Sequence, residues 1–161
     1  MSIEKARAYL EAVGYADRII ETEASSATVE LAAQAIGCKP AEIVKTLSFL
    51  LKDQPILILA EGDARIDNHK FKMTFHTKAK MIPANQVESL VGHAPGGVCP
   101  FGINEDVDVY LDESLRKFSY VYPAAGNDHS GVKLTPEELE KLSRAKGWVD
   151  VCKEKTEYVN S

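Results

Sequence analysis

Apolar residues near the start of the chain recur at helical spacing. Ile3, Ala6, Leu10 and Val13 fall on one face, Ser2 stands where a cap belongs, and Gly14 ends the run. Residues 18–22 read as a short strand. Helical spacing returns over residues 28–36, with Ser26 as the cap and Gly37 as the stop, and Pro40 starts one further turn. The period then changes to two. Residues 43–51 alternate, Lys52-Asp53-Gln54-Pro55 reads as a turn, and residues 56–60 are a continuous apolar run, so the two segments predict a hairpin. Residues 62–80 are polar and basic with mixed periodicity, which predicts short helices and loop. Pro83 opens a helix through Leu90 that Gly92 ends. Residues 107–111, 119–122 and 132–134 predict strands, with a helical turn between the first two. Thr135-Pro136-Glu137-Glu138 is a capping box, and residues 148–152 make a last strand. Strand pairs without intervening helices argue against an all-parallel sheet. The pattern predicts an α+β fold, a mixed, curved sheet with helices packed outside it.

Composition changes this picture little. The 161 residues fit one domain spanning the chain, 45% are hydrophobic and 27% charged, and the net charge is −5. No segment has the apolar length of a membrane span, and the first residues read as a helix rather than a signal peptide. Cys38, Cys99 and Cys152 are odd in number and scattered, with no zinc spacing, which points to a reducing cytoplasm and no metal. The charge is uneven. Arg65, Lys70, Lys72, Lys78 and Lys80 are offset only by Asp67 and interleaved with His69, Phe71, Phe75 and His76, a combination able to meet phosphates and bases. An acidic stretch follows at Glu105, Asp106, Asp108, Asp112 and Glu113.

Three features carry candidate chemistry. Lys45 lies in the predicted strand Ile43-Val44-Lys45-Thr46-Leu47, where an unpaired ammonium is costly to bury. It either snorkels to solvent, acts as a Schiff-base nucleophile, or clamps a carbonyl oxygen or phosphate. The loop Gly96-Gly97-Val98-Cys99-Pro100-Phe101-Gly102 can bring backbone amides to an oxyanion, or it is a plain turn. Cys99 within it is either a pocket wall or a nucleophile served by His93 or His129. The third feature, Gly126-Asn127-Asp128-His129-Ser130-Gly131, is a hairpin turn or a substrate contact through His129. Phosphate-loop, dinucleotide and zinc-protease motifs are missing, which lowers the expectation of nucleotide-driven or zinc chemistry.

In this order the motifs resemble the YbaK/EbsC family, also called the prolyl-tRNA synthetase-associated domain. Thr28-Val29-Glu30-Leu31-Ala32-Ala33, Arg65-Ile66-Asp67 and Ala125-Gly126 before His129 add to the match, which covers about residues 3–152. The resemblance implies a barrel-like mixed sheet with surrounding helices. It also implies a free-standing enzyme that hydrolyses the ester of mischarged aminoacyl-tRNA, carrying a small amino acid, on tRNA-Pro, without a cofactor. In that reading Lys45 orients the substrate, and Gly97 and Gly102 contribute catalytic backbone contacts. Thr46, Val98, Cys99, Pro100, Phe101, Gly126 and His129 line the substrate pocket, and Arg65, Lys70 and Lys72 meet the tRNA. The partner is the acceptor end of aminoacyl-tRNA, delivered by a prolyl-tRNA synthetase or an elongation factor. The alternatives are a non-catalytic module that binds aminoacyl-tRNA or a nucleotide, and a thiol enzyme built on Cys99.

Overall fold

A computed structural model describes residues 2–23, 28–95, 98–127 and 129–154. Helix α1 (Ser2–Ala12) buries Ala6 and Leu10 completely, and Gly14 follows it at φ 86°. Val13, expected on the buried face, is exposed, because the helix has already ended at Ala12. After strand β1 (Ile19–Glu21) comes α2 (Val29–Ile36). Its cap is Thr28, whose hydroxyl accepts from the Leu31 N–H, and its stop is Gly37 in the left-handed region; Ser26 lies outside the described residues.

The hairpin forms as expected. β2 (Val44–Leu51) runs antiparallel to β3 (Gln54–Glu61), with Lys45 opposite Ala60 and Thr46 opposite Leu59. The turn is only Lys52 and Asp53, with Lys52 at φ 58°. β3 continues the sheet in parallel with β5 (Asp108–Asp112), which pairs in parallel with β7 (Gly147–Val149), giving the order β2-β3-β5-β7. Two smaller antiparallel pairs stand beside it. β1 pairs with β6 (Ser130–Val132), and β4 (Ala64–Ile66) pairs with β8 (Cys152–Glu154). The sheet is mixed, as expected, and does not close into a barrel among the described residues.

β3 explains the layering. Its run of apolar residues is buried on both faces, as a central strand must be. Leu57 and Leu59 point to one side, where they join Val109, Leu111, α1, α4 (Ala84–Val91) and α5 (Pro136–Leu142) in the larger core. Ile56, Ile58 and Ala60 point to the other, into a smaller core with Phe49, Val151, Cys152 and Phe71 of α3 (Asn68–Phe75). On that side Phe49, Phe71, Phe75 and Tyr110 form a chain of ring contacts 4.8–5.2 Å apart between centroids.

Three further expectations change. Residues 119–122 form only isolated bridges, Val121 to Leu134 and Ile43 to Tyr122. The segment 62–80, read as helix and loop, also contains β4. The last strand divides at Asp150 and Val151, because the chain leaves β5 there and crosses to β4.

Candidate functional site

Alternation along β2 decides where Lys45 goes. Phe49 lies in the smaller core, so Lys45 and Leu47 face that side and Thr46 faces the other. Lys45 and Thr46 are chain neighbours on opposite faces of the sheet, which separates two residues that the motif places side by side. The Thr46 hydroxyl oxygen is buried and has no hydrogen-bond partner among the described residues.

The Lys45 ammonium donates to the Ala64 carbonyl oxygen at 2.7 Å. It borders a cavity of about 240 Å³ lined also by Val29 and Glu30 of α2, Gly62, Asp63 and Arg65. Gly62 has no room for a side chain, since a Cβ there would stand 2.1 Å from the Pro40 carbonyl oxygen and 2.6 Å from Val29. That close approach holds the start of α2 over the cavity. Burial pulls the Lys45 pKa below the ordinary lysine value. Cys152, Asp63 and Glu30 oppose the shift, and Arg65 reinforces it. The site is thus a half-buried cation beside a second cation, with two carboxylates close by.

The glycine-rich loop goes elsewhere. Gly96 and Gly97 lie outside the described residues. Gly102 is not brought to the Lys45 cavity. It sits at φ 72° against α1, where a Cβ would be 2.8 Å from the Lys5 carbonyl oxygen. Gly102 and Pro100 line a separate cavity of about 550 Å³ with Tyr9, Asn104 and Arg144. Phe101 is fully buried, and Val98 packs at the edge of the same core.

Cys99 is fully buried in the larger core, and burial pushes its thiol up to about 12. Its sulfur lies 3.6 Å from His93 Nε2, so the expected cysteine–histidine neighbours do meet. The pair is unsuited to nucleophilic catalysis, however. His93 Nε2 is 2.6 Å from the Phe101 carbonyl oxygen, which can only accept, so that nitrogen carries the proton and cannot take one from the thiol. The pair fastens the loop to its own backbone.

The other loop is built to hold His129. Asn127 Oδ1 accepts the His129 N–H at 3.1 Å, and Asn127 Nδ2 lies 3.2 Å from His129 Nε2, which makes that nitrogen the acceptor. The His129 carbonyl accepts from the Thr22 N–H at 2.8 Å, and buried Gly126 takes φ 102°. Asp128 lies outside the described residues. Helix α2 links the two regions. Val29 at its start borders the Lys45 cavity, while Ile36 at its end fills the space above Gly131. Seven residues of helical rise set these contacts about 10 Å apart.

The basic segment also divides. Arg65 is exposed at the rim of the Lys45 cavity. Lys72 is exposed on α3, where it borders a cavity of about 520 Å³ with His69, Met73 and His76. Lys70, assigned to tRNA from its charge, donates instead to Asp150 Oδ1 at 3.1 Å and to the Cys152 carbonyl at 3.0 Å. Asp112 is missed by the sequence reading except as part of an acidic stretch, yet it is almost fully buried, and both its carboxylate oxygens accept backbone N–H groups. The sequence pattern does not single it out, because the alternation through Val107, Val109 and Leu111 would place residue 112 on the outward side.

The fold and the cavity define an α+β domain with one half-buried lysine at a small polar opening. Residues 23–142 match the family described as "Aminoacyl-tRNA editing domain", and the chain belongs to that family. It is 48% identical over 155 residues to "Uncharacterized protein YwhH" of Bacillus subtilis, covering 96% of this chain and 99% of that one. It is 26% identical over 118 residues, 72% of each chain, to "Putative Cys-tRNA(Pro)/Cys-tRNA(Cys) deacylase EbsC" of Enterococcus faecalis. A solved structure described as "a putative trans-editing enzyme for prolyl tRNA synthetase" superposes with a TM-score of 0.86 at 32% identity, covering 94% of this chain and 97% of that one. The resemblance drawn from the motifs therefore holds. No helix among the described residues is long and apolar enough to cross a membrane.

Proposed function

We propose that this protein is a trans-editing hydrolase that deacylates mischarged aminoacyl-tRNA carrying a small amino acid, on tRNA-Pro. The observation that carries the proposal is the Lys45 ammonium, half-buried at a small cavity beside Arg65, Glu30 and Asp63. An aminoacyl ester presents a carbonyl oxygen, a terminal phosphate and an α-ammonium within a few bonds of one another. Two cations and two carboxylates at one opening match those charges. Water adds to the ester carbonyl, the tetrahedral oxyanion collapses, and the ribose oxygen leaves with a proton. Lys45 orients the carbonyl or the terminal phosphate. The ester is already activated, so modest electrostatic stabilisation suffices and no protein nucleophile is required. Gly97 keeps its role as a backbone donor on the resemblance alone, and Gly102 drops out of it. His129 is retained as a substrate contact. Arg65 and Lys72 are the tRNA contacts, with Lys70 withdrawn.

The test is hydrolysis of tRNA-Pro carrying alanine, serine, cysteine or threonine, by wild type and by Lys45→Ala, with correctly charged tRNAs as controls. Selective turnover that collapses in a folded Lys45→Ala variant supports the proposal and names the amino acid. Binding of the charged tRNAs without turnover of any would replace it with the non-catalytic module.

A further inference from the structure

Lys45 Nζ donates to the carbonyl of Ala64, the first residue of β4. β4 has three residues and, among the described residues, one strand partner, β8, also of three residues, with Ala64 opposite Glu154 and Ile66 opposite Cys152. So short a pair has little stability of its own. What holds it lies at the chain's crossing point. The buried Asp112 carboxylate accepts from the Val151 N–H at 2.9 Å, and its second oxygen accepts from the Ser114 N–H at 3.0 Å. The Val151 carbonyl accepts from the Asp67 N–H at 2.8 Å. Lys70, in the first turn of α3, grips the same segment through Asp150 and the Cys152 carbonyl.

We propose that Asp112 and Lys70 are positioning residues for Lys45: they clamp β8 against β4, and β4 presents the carbonyl that fixes the ammonium at its cavity. The role of Lys45 in substrate orientation rests on the deacylase reading, but the clamp itself does not. Its geometry also accounts for the charge at residue 70, which the sequence offers as a tRNA contact. Both oxygens of Asp112 are used, so Asp112→Asn would present an N–H to one of two backbone donors. Lys70 reaches two acceptors with one ammonium, so methionine removes the grip while keeping the stem, and arginine restores donors.

The experiment compares wild type, Lys70→Met and Lys70→Arg, with Lys141→Met on the exposed face of α5 as control. One readout needs no activity: the titration of Lys45 followed by NMR through 13C-labelled lysine ε-carbons, assigned with Lys45→Met. The groups facing Lys45 are Cys152 from β8, Arg65 from β4, Asp63 from the turn before it and Glu30 from α2. Cys152 in turn faces Asp112 and Lys70. Loosening β8 admits water to the ammonium, so in Lys70→Met the Lys45 titration moves up towards that of an ordinary lysine. Lys70→Arg moves it back, and Lys141→Met leaves it alone. The second readout is deacylation, where Lys70→Met lowers kcat on the order of tenfold with KM changed less than twofold, as expected of a displaced catalytic group. A folded Lys70→Met with both Lys45 titration and kcat unchanged overturns the proposal. So does a fall in binding with kcat intact, which would return Lys70 to the tRNA surface. If the wild type deacylates none of the charged tRNAs, the deacylase reading fails, and the titration still decides the clamp.

Discussion

Gly102→Ala separates a glycine needed by the fold from one needed by the chemistry. Gly102 sits at φ 72°, and a Cβ there would lie 2.8 Å from the Lys5 carbonyl oxygen and 3.0 Å from its carbon, both backbone atoms of α1. An alanine held in the left-handed region costs about 1–2 kcal/mol. Forcing the α1 backbone away adds about 1–3 kcal/mol, as overpacking does. The alanine also reduces the freedom of the unfolded chain, which returns about 0.4–1 kcal/mol. The net loss is about 1–4.5 kcal/mol, and for a chain of this size each kcal/mol lowers Tm by about 2–4 °C. Thermal unfolding should therefore show Tm falling by about 2–18 °C. Deacylation measured well below the new Tm should keep its kcat within about twofold, because Gly102 lines a cavity separate from that of Lys45. A Tm within about 1 °C of wild type would mean that α1 does not approach as described. An intact Tm with kcat reduced about a hundredfold would return Gly102 to the oxyanion site.

Three further outcomes follow from the same geometry. Near neutral pH Cys99 should resist iodoacetamide in the folded protein, and Cys99→Ala should retain turnover while losing about 1 kcal/mol of stability in urea; inactivation that tracks Cys99 labelling would refute this. The lowered pKa of Lys45 means that the unfolded chain holds its proton more tightly than the folded one. Stability should thus rise with pH between the folded value and the ordinary lysine value of 10.5, and urea unfolding across the alkaline range should show Lys45→Met without that rise. Deacylation that depends on the ammonium should decline over the same range. Lys72→Ala, on the exposed face of α3, should weaken tRNA binding at low salt and reduce the slope of log affinity against log salt by about 1, whereas an unchanged slope would remove α3 from the tRNA surface.

Much of the fold is legible in short stretches of the chain. The Thr135 capping box forms, with its hydroxyl accepting from the Glu138 N–H and the Glu138 carboxylate accepting from the Thr135 N–H. Gly37 and Gly92 stop their helices in the left-handed region, and the hairpin of residues 44–61 pairs in register. Each depends on neighbours within a few positions, where periodicity and capping chemistry act. β4 escaped notice because three residues cannot establish a period. The division between β7 and β8 escaped it because Trp148, Val149, Val151 and Cys152 are all apolar enough for one strand.

The candidate site was legible as residues but not as an arrangement. Local pattern alone puts Lys45 in a strand, marks a glycine- and proline-rich loop ending at Gly102, and places a basic segment after the hairpin. What each of these meets depends on how the elements pack. Alternation sends Lys45 and Thr46 to opposite faces once the cores on either side of β3 are known. Gly102 is taken up by α1, whose Lys5 side chain also donates to Gly92, 87 residues away in the chain. Lys70 spends its charge on Cys152, 82 residues away. Such contacts follow from which surfaces bury each other, a property of the assembled core, whereas caps and periods are written within a single turn or strand.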